Sequence, residues 1–471
     1  MFSSFEEAHK YIVENGIEMI DLKFTDLWGR MRHLTIPASE FTPDILENGV
    51  GFDGFSVGFR PIESSDMVLI PDLSTGFVDP FWEAPTLSFI CYAQVAGSNE
   101  LFPDDPRSVA LRAVEYMLDK GIADQSKWGV ELEFWVFDSV AFENKNYVAS
   151  YCITSEEFNP QGEPGHGYYN PHEGGYHSSP PQDSLYNLRA EISLHLQRLG
   201  FKLRYHHHEV GVPGQCEIET SMLDLMKAAD AVTLAKYVTK MVAKAHGKTV
   251  TFMPKPLHNT AGTALHLHQQ LFKEGRNLFY DPSQYGLLSE IGRYYVGGLL
   301  THCPALLGLT NPSTNSYLRL VPGFEAPISM FFSVGNRSAA VRIPGYATQP
   351  DKVRIEFRPP DPTCNIYLAM AAQLMAGIDG IINKIDPTEA GFGPYEENVY
   401  DWTEEQRAKL KQLPSSLKEA LEALAKDHDF LLAGGVFSEE LIERWIEHKM
   451  KEHYAVRNRP HPYEIELYFN V

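Results

Sequence analysis

The sequence predicts an α+β protein with a small, strand-rich N-terminal domain and a larger domain in which helices and strands alternate. At 471 residues the chain exceeds the usual size of one domain. Residues 1 to about 100 form short apolar segments broken by glycine and proline, a pattern typical of strands and turns. Longer helical patterns begin only after that region, so two domains of unequal size are expected.

The boundary between the domains is predicted at the first strong helix start, which separates residues 1–104 from residues 105–471. Asp105 is suited to cap a helix whose first residue is Pro106, and Gly121 is suited to end it.

The larger domain contains two more long helical patterns, over 183–199 and 221–246, each followed by a glycine. From about residue 415 the chain is predicted to be helical again, and residues 464–469 are predicted to form a final strand.

The overall charge restricts the classes of partner. A formal net charge of −22 opposes binding to nucleic acid or to an anionic membrane surface, and no apolar run is long enough to cross a membrane. The five cysteines form no C-x-x-C pair, and the N-terminus lacks the basic start and apolar run of a secretory signal. We therefore expect a cytoplasmic protein whose anionic ligands, if any, meet a local excess of positive charge.

Two neighbouring carboxylates provide the first functional signal. Glu131 and Glu133 lie two residues apart in an apolar strand pattern, so both side chains are expected on one face, where they repel each other unless a cation lies between them. A solvated strand face is the alternative interpretation, which the apolar neighbours weaken.

A second acidic segment follows the histidine run 206–208. The turn signals between Glu209 and Glu217 predict paired strands that place both carboxylates on the same side. Three consecutive histidines suggest zinc, but successive strand residues alternate faces and the spacing fits no zinc motif. At least two of these histidines are therefore interpreted as structural.

Two further strand patterns add nitrogen and carboxylate ligands. His266 and His268 share one face, and Glu356 lies between Arg354 and Arg358. Several carboxylates with one or two imidazoles favour Mg²⁺ or Mn²⁺ over softer metals. The combined pattern predicts a carboxylate-rich, two-metal site for phosphoryl transfer.

An arginine-rich segment would supply the positive charge that an anionic substrate needs. Residues 319–358 contain six basic and three acidic side chains in an otherwise acidic chain. Arginine suits phosphate and carboxylate because its planar fork donates two parallel hydrogen bonds, although surface salt bridges are an alternative for each one. Arg342 lies in an apolar strand pattern and therefore needs a buried partner. The chain has no P-loop motif, so metals and arginines would hold a nucleotide.

Taken together, these segments resemble the glutamine synthetases of bacterial type I across nearly the whole chain. The matching stretches are Phe52–Ser56, Glu63–Met67, Glu131–Phe134, His208–Val210, Gly214–Glu217, Phe252–Pro256, Asn311–Pro327 and Asn336–Ala339.

The resemblance implies a β-grasp N-terminal domain, a catalytic domain with a curved antiparallel sheet and flanking helices, and a dodecamer of two hexameric rings with active sites between subunits. It also implies that ATP phosphorylates the side chain of glutamate and that ammonia then displaces phosphate to give glutamine. Two or more divalent ions per subunit, Mg²⁺ or Mn²⁺, would assist the reaction.

The resemblance also assigns roles to individual residues. One metal ion would be held by Glu133, Glu209 and Glu217, and the second by Glu131, His266 and Glu356. Substrate glutamate would be bound by Arg319, Arg358 and Gly262, and the nucleotide by His268, Arg337 and Arg354. The transferring phosphoryl group would be stabilised by Arg337 and Arg342, and Glu325 would accept a proton from ammonium. Ammonium would be bound by Tyr176 with Asp53 and Ser56 of a neighbouring subunit.

Several positions depart from the common pattern of this family. Phe55 and Ala261 replace small or polar residues near the substrates, Arg204 stands where an acidic residue is typical, and Gln270 stands where a serine is common. We expect these changes to affect substrate specificity and nucleotide affinity. Tyr400 is a candidate for adenylylation, with an ordinary surface tyrosine as the alternative.

Two other functions remain compatible with the sequence. A related ligase would join glutamate to an organic amine such as a polyamine, although Asp53, Ser56 and Tyr176 favour ammonia. A catalytically silent scaffold or regulator is the second alternative, motivated by Phe55 and Ala261, and the intact set of carboxylates and arginines argues against it.

Overall fold

The structure is a computed structural model that describes residues 1–98, 100–159, 164–397, 399–407 and 409–471. Its N-terminal strands are β1 (Met19–Thr25), β2 (Met31–Pro37), β3 (Val50–Asp53), β4 (Asp66–Pro71), β5 (Phe77–Val78) and β6 (Thr86–Val95). Within the described residues they form one sheet in the order β2-β1-β6-β4-β3, with β5 paired to β6. The β1–β6 pair is parallel and its neighbours are antiparallel.

Two helices accompany this sheet, α1 (Phe5–Glu14) and the short α2 (Asp44–Glu47). The sequence prediction of strands and turns alone missed α1. The hydroxyl of Ser4 accepts a hydrogen bond from the backbone N–H of Glu7, and Ala8 and Ile12 are buried on one helix face. A cap followed by apolar residues four apart was the available signal.

The helix start predicted at Asp105 and Pro106 is confirmed. Helix α3 (Pro106–Asp119) has Asp105 as its cap, and the Asp105 carboxylate accepts a hydrogen bond from the backbone N–H of Ser108 at 3.0 Å. Gly121, with φ +63°, follows its end.

The larger part of the chain is built on a second sheet. Its strands are β7 (Gln125–Phe137), β10 (Leu203–His208), β11 (Gln215–Thr220), β12 (Leu223–Asp224), β13 (Thr249–Thr251), β14 (Leu265–Lys273), β15 (Arg276–Asn277), β16 (Ser329–Val334), β17 (Ala339–Ile343) and β18 (Ile355–Phe357). The remaining strands, β8 (Ser139–Lys145) and β9 (Val148–Thr154), form a separate exposed hairpin.

Strand order in the large sheet is β10-β11-β7-β14-β18-β17-β16. Neighbouring strands are antiparallel, as predicted, except that β16 and β17 run parallel. The strands at the centre of this order carry most of the predicted metal ligands.

Helices flank this sheet and build the core. They are α4 (Tyr186–Arg198), α5 (Leu225–Ala245), α6 (Glu290–Thr301), α7 (Cys303–Thr310), α8 (Ser316–Arg319), α9 (Ile366–Ile382), α10 (Glu404–Arg407), α11 (Leu417–Lys426), α12 (Asp429–Leu432), α13 (Glu439–Arg457) and α14 (Pro462–Tyr468). Helix α9 is buried over most of its length. A Cβ at Gly298 of α6 would lie 2.0 Å from the Ala376 carbonyl oxygen of α9, so these two helices pack with backbones in close contact.

The predicted helices at 183–199 and 221–246 are present with later starts, as α4 and α5. Asp183 does not cap α4, because its carboxylate forms an ion pair with Arg189 inside the helix.

The predicted C-terminal strand over 464–469 is wrong. This segment is helix α14, which begins at Pro462 after the cap His461. His461 and Glu464 form a reciprocal capping box, a local signal that outweighs the alternation of polar and apolar residues in this exposed segment. None of the described helices has both the length and the apolar character that a membrane crossing requires.

Candidate active site

The register of the large sheet brings the predicted carboxylates into one row. Glu133 of β7 lies opposite Glu217 of β11, and Glu131 lies between Glu219 of β11 and His266 of β14. Strand alternation therefore points these side chains to the same face, as predicted for Glu131 and Glu133. Carboxylates that face each other across strands repel, so this row requires compensating positive charge.

That face of the sheet forms the floor of a cavity of about 480 Å³. The predicted site residues that line it are Glu131, Glu133, Tyr176, Glu209, Glu217, Gly262, His266, Arg319, Glu325, Arg337, Arg342 and Arg358. Other lining residues, such as Glu173, Tyr205 and Tyr346, were not singled out from the sequence.

The first acidic group lies where β7, β10 and β11 meet. Burial and the charge of Glu209 raise the pKa of Glu133 to about 8, and burial with Glu131 and Glu209 raises the pKa of Glu217 well above its usual range. Burial also raises the pKa of Glu209. The Glu133 carboxylate accepts hydrogen bonds from the Ala264 backbone N–H and the Gln215 amide. Protein donors thus leave much of this negative charge uncompensated, and a divalent cation would stabilise the ionised forms.

His207 belongs to this group and was missed in the sequence. Its Nδ1 lies 3.7 Å from a Glu209 oxygen, and its Nε2 lies 3.7 Å from a Glu217 oxygen. Burial lowers the pKa of His207 to about 4, so the ring is neutral and able to offer a lone pair. His207 shares strand parity with Glu209, which was the signal that could have identified it. His208, in contrast, is structural, because it is buried against Glu157.

The second group combines Glu131, His266 and Glu356 within ligand distance of one another. Nδ1 of His266 lies 2.9 Å from a Glu131 oxygen and 3.7 Å from a Glu356 oxygen. Burial and the charge of Arg358 lower the pKa of His266 to about 4. Burial would raise the pKa of Glu356, but the positive charges around it, with Arg358 the largest, together outweigh burial and the pKa falls to about 2. Two ionised carboxylates and a neutral imidazole match the ligand chemistry of Mg²⁺ and Mn²⁺.

Three arginines lie beside the second acidic group or in the cavity wall. Arg342 Nε lies 2.6 Å from one Glu356 oxygen, and Arg358 Nη1 lies 2.5 Å from the other, which confirms the expected buried partner of Arg342. Arg319 donates to the carbonyl oxygens of Pro359 and Arg358. These contacts fix each guanidinium while Arg319, Arg342 and Arg358 still line the cavity.

Comparison with known proteins identifies the family. The model of the glutamine synthetase β-grasp domain matches residues 16–94, and that of the glutamine synthetase catalytic domain matches residues 103–468. The chain belongs to the glutamine synthetase family. The β-grasp and α+β folds expected from the resemblance are thereby confirmed.

Relatives named glutamine synthetase share the full length of this chain. Those of Frankia alni and Streptomyces filamentosus are 45% and 46% identical, with 100% of both chains covered in each comparison. The cryo-EM structure of the Plasmodium falciparum glutamine synthetase is similar with a TM-score of 0.90, 29% identity and 99% of each chain covered. The chain therefore aligns with 99–100% of the length of these relatives.

Two residues predicted to bind the nucleotide, His268 and Arg354, lie next to the second acidic group but do not line the cavity. His268 Nε2 lies 2.8 Å from a Glu131 oxygen, and Arg354 Nε donates to His268 Nδ1 at 3.3 Å. The Arg354 guanidinium also lies over the ring of Tyr346, which lines the cavity.

Asp53 and Ser56 are not brought to this cavity within one chain. Both lie at the end of β3 and in the turn after it, where the Ser56 hydroxyl and the Phe55 backbone N–H donate to the Asp53 carboxylate and lower its pKa. Phe55 is half exposed in the same turn. In the glutamine synthetase family these residues were expected to come from a neighbouring subunit, and that expectation remains a prediction.

The cavity wall beside Arg319 leaves no room for a side chain at Gly262. A Cβ at this position would lie 2.5 Å from Arg319 Cγ. The neighbouring Ala261 replaces a polar residue common in the family, and its backbone N–H donates to Glu173 at 3.1 Å. A hydrogen bond from the Ala261 backbone to the Glu173 side chain therefore holds this part of the wall.

The candidate modification site Tyr400 lies in a short turn over Val399–Asp401, and its side chain is outside the described part of the chain.

Proposed function

We propose that this chain catalyses the ATP-dependent ligation of ammonia to L-glutamate, giving L-glutamine through γ-glutamyl phosphate. The observation that carries this proposal is the placement of two electrostatically different acidic groups beside several arginines in one cavity. Membership of a family that uses divalent metals and ATP, with full-length relatives named glutamine synthetase, supports the same reaction.

Two divalent ions, Mg²⁺ or Mn²⁺, fit the chemistry of the site. Glu133, Glu209 and Glu217 would hold one ion, and Glu131, His266 and Glu356 would hold the second. His207, which has a ligand atom within 4.8 Å of ligand atoms of Glu209 and Glu217, would be an additional neutral ligand of the first ion. When bound, the ions would offset the negative charge of the nucleotide phosphates.

The arginines divide between the two substrates. Arg319 and Arg358, with Gly262, would bind glutamate at the wall of the cavity. Their guanidinium groups are held in place by backbone carbonyls and Glu356, so the unused N–H groups are preorganised for a carboxylate.

Arg337 and Arg342 would stabilise the phosphoryl group as negative charge moves onto its oxygens. Arg342 is aligned by its hydrogen bond to Glu356. The nucleotide would be bound by His268 and Arg354, which lie beside Glu131 of the second acidic group, together with Arg337 of the cavity wall.

Glu325 would accept the proton that ammonium must lose before it attacks γ-glutamyl phosphate. It lines the cavity with a positive φ of 54°, in the same wall as Arg337. Tyr176 lines the same cavity and contacts the ring of His207, and Asp53 and Ser56 of a neighbouring subunit would complete an ammonium pocket there.

The shared pocket requires an oligomer, and a dodecamer of two hexameric rings is part of this proposal. We also propose the domain division 1–104 and 105–471 and a cytoplasmic location. The presence of Asp53, Ser56 and Tyr176 favours ammonia over an organic amine as the acceptor. A scaffold would not need buried facing carboxylates, since they destabilise a site that binds no cation.

Product analysis with competing amines tests the proposed reaction. With Mg²⁺, ATP and glutamate, the protein should form glutamine from ammonium and much less amide from putrescine or ethylamine. Glu325→Gln should reduce glutamine formation far more than it weakens ATP binding, whereas Glu83→Gln, a change at an exposed glutamate, should have no effect. Faster turnover with an organic amine would overturn the choice of ammonia.

A further inference from the structure

The turn after β3, which carries Asp53 and Ser56, is held at its base by a residue from the far end of the chain. Arg444 of α13 donates through Nη1 to the carbonyl oxygen of Phe59 at 2.7 Å. Its Nη2 forms an ion pair with an Asp104 oxygen at 3.2 Å. One guanidinium therefore joins this turn of the N-terminal sheet to helix α13 and to the segment before α3.

The helix side of this contact is fixed as well. The Asp104 carboxylate also accepts a hydrogen bond from the hydroxyl of Ser438, at 2.6 Å, and Ser438 is the N-cap of α13. Asp104 is buried, and a buried carboxylate is stable only with its donors in place. The guanidinium of Arg444 is therefore held between a backbone carbonyl and a fixed carboxylate, which leaves it little freedom to rotate.

Ring packing defines where the turn meets α13. A Cβ at Gly58 would lie 2.7 Å from Nε1 of Trp28, so the backbone of the turn touches this ring. Trp28 stacks on His448 of α13, with ring centroids 3.6 Å apart, and lies near Trp445 of the same helix. Phe59, next to Gly58, is fully buried. Packing thus fixes the place of the contact, and the hydrogen bond from α13 fixes the orientation of the peptide groups there.

The two residues predicted to reach a neighbouring subunit lie beyond this fixed base. Asp53 and Ser56 are exposed. The Asp53 carboxylate accepts hydrogen bonds from Phe55 and Ser56 of the same turn, and these local bonds set its position within the turn. Its position relative to the rest of the subunit depends on the base of the turn.

We propose that Arg444 is a positioning residue for the ammonium pocket of the neighbouring subunit, and that it acts through Asp53. Ammonium is small, so its binding depends on the exact placement of a few oxygen atoms, and an error of about 1 Å is costly. Without Arg444 the turn would hold Asp53 less precisely and ammonium would bind more weakly. Glutamate and ATP would be unaffected, since the other subunit binds them. This inference rests on the proposed function and on its shared pocket.

Kinetics with each substrate in turn provide the first test. Arg444→Gln should raise the KM for ammonium by about 10-fold or more and change the KM values for glutamate and ATP little. Arg444→Lys keeps the charge and one donor for Phe59, so its KM for ammonium should lie between those of the wild type and the Gln variant. Arg276→Gln, at an exposed arginine, is the control. An equal rise in all three KM values, or no rise in any, would overturn the proposal.

Mixed oligomers show through which subunit Arg444 acts. Combined with Glu133→Gln chains, Arg444→Gln should regain the wild-type KM for ammonium in up to about a quarter of the sites, because an intact turn then meets an intact metal group. Combined with Asp53→Asn chains it should regain none, because both chains then carry a defective turn. The opposite pattern would overturn the proposal, since it would place the defect in the cavity of the subunit that carries the substitution.

The controls separate this inference from the function on which it rests. A wild-type protein that forms no glutamine from ammonium would contradict the proposed function. Failure of Asp53→Asn and Glu133→Gln to complement each other would contradict the shared pocket, and the role of Arg444 with it. If Arg444→Gln does not assemble, Arg444→Lys takes its place in both tests, and an unchanged KM for ammonium in that variant would overturn the proposal.

Discussion

Glu133 and Glu217 lie directly opposite each other on β7 and β11, with both carboxylates buried in the floor of one cavity. This pair is unfavourable in an apoprotein, because burial and the charges of nearby carboxylates raise the pKa of both Glu133 and Glu217. The site therefore sacrifices stability for the ability to bind cations, as is common where function and stability compete.

Replacement of one member of this pair should stabilise the metal-free protein and weaken its cation binding. Glu217→Gln is expected to raise the Tm of the metal-free protein by a few degrees, because it removes a facing charge. The same change should abolish most of the Mn²⁺-induced rise in Tm and lower activity at least ~100-fold. Differential scanning fluorimetry with and without Mn²⁺ measures the first two effects, with Glu83→Gln as the control. A lower metal-free Tm with an unchanged Mn²⁺ effect would contradict this interpretation.

The wall formed by Gly262 should be sensitive to a single methyl group. Gly262→Ala places a Cβ against the aliphatic part of Arg319, so the guanidinium must shift. We expect the KM for glutamate to rise by about 10-fold or more while the KM for ATP changes little. Gly345→Ala is a matched control, because its Cβ would meet only Val334 at 3.5 Å. Equal KM values for glutamate in both variants would show that Gly262 does not position Arg319.

A buried histidine away from the cavity predicts a pH dependence of stability. His302 lies between Asp379 and Asp427, at 3.0 and 2.9 Å, and is stacked on Phe430. Burial opposes its protonation, but the hydrogen bonds to the two carboxylates outweigh it and raise the pKa of His302 to about 9.

Because this folded-state pKa lies above the ordinary value near 6.5, protonated His302 stabilises the fold fully below about pH 6.5. That contribution is lost as the pH rises through 9. His302→Gln should therefore lower the Tm by several degrees at pH 6 to 7, and the difference from the wild type should shrink above pH 9. His258→Gln, at an exposed histidine, should show no such dependence. A pH-independent difference would contradict the proposed charge state of His302.

The proposed sharing of a site between subunits predicts complementation. Asp53→Asn and Glu133→Gln should each yield an inactive oligomer, since one lacks the ammonium pocket and the other a metal ligand. Mixed oligomers refolded or co-expressed from both should recover activity, up to about a quarter of the sites for random mixing. The control is the double variant that carries Glu133→Gln and Asp53→Asn in the same chain. Its oligomers should stay inactive. No recovery in mixed oligomers of the correct size would place Asp53 outside the neighbouring site.

Much of this site can be predicted from strand periodicity. Side chains two residues apart in a strand point to the same face of the sheet, so Glu131 and Glu133 must lie together once their segment is a strand. Strand parity with Glu209 favours His207 among the three consecutive histidines, and the pairing with β11 establishes that its ring faces Glu217. The alternation after His461 predicts a strand, whereas the capping box between His461 and Glu464 begins a helix there. The ion pair between Arg204 and Glu219 could not be predicted from the sequence. The two residues are fifteen positions apart, and only the register of β10 with β11 brings them together.

The fate of one oxygen atom tests the central claim most directly. If ATP phosphorylates the side chain of glutamate in this cavity, glutamate labelled with ¹⁸O in its side-chain carboxylate should pass one ¹⁸O to inorganic phosphate as glutamine forms. Mass spectrometry of the phosphate from wild-type protein with Mg²⁺, ATP and ammonium should therefore show one ¹⁸O atom per phosphate released, and Glu133→Gln should release almost none. Unlabelled phosphate accompanying glutamine formation would contradict the account.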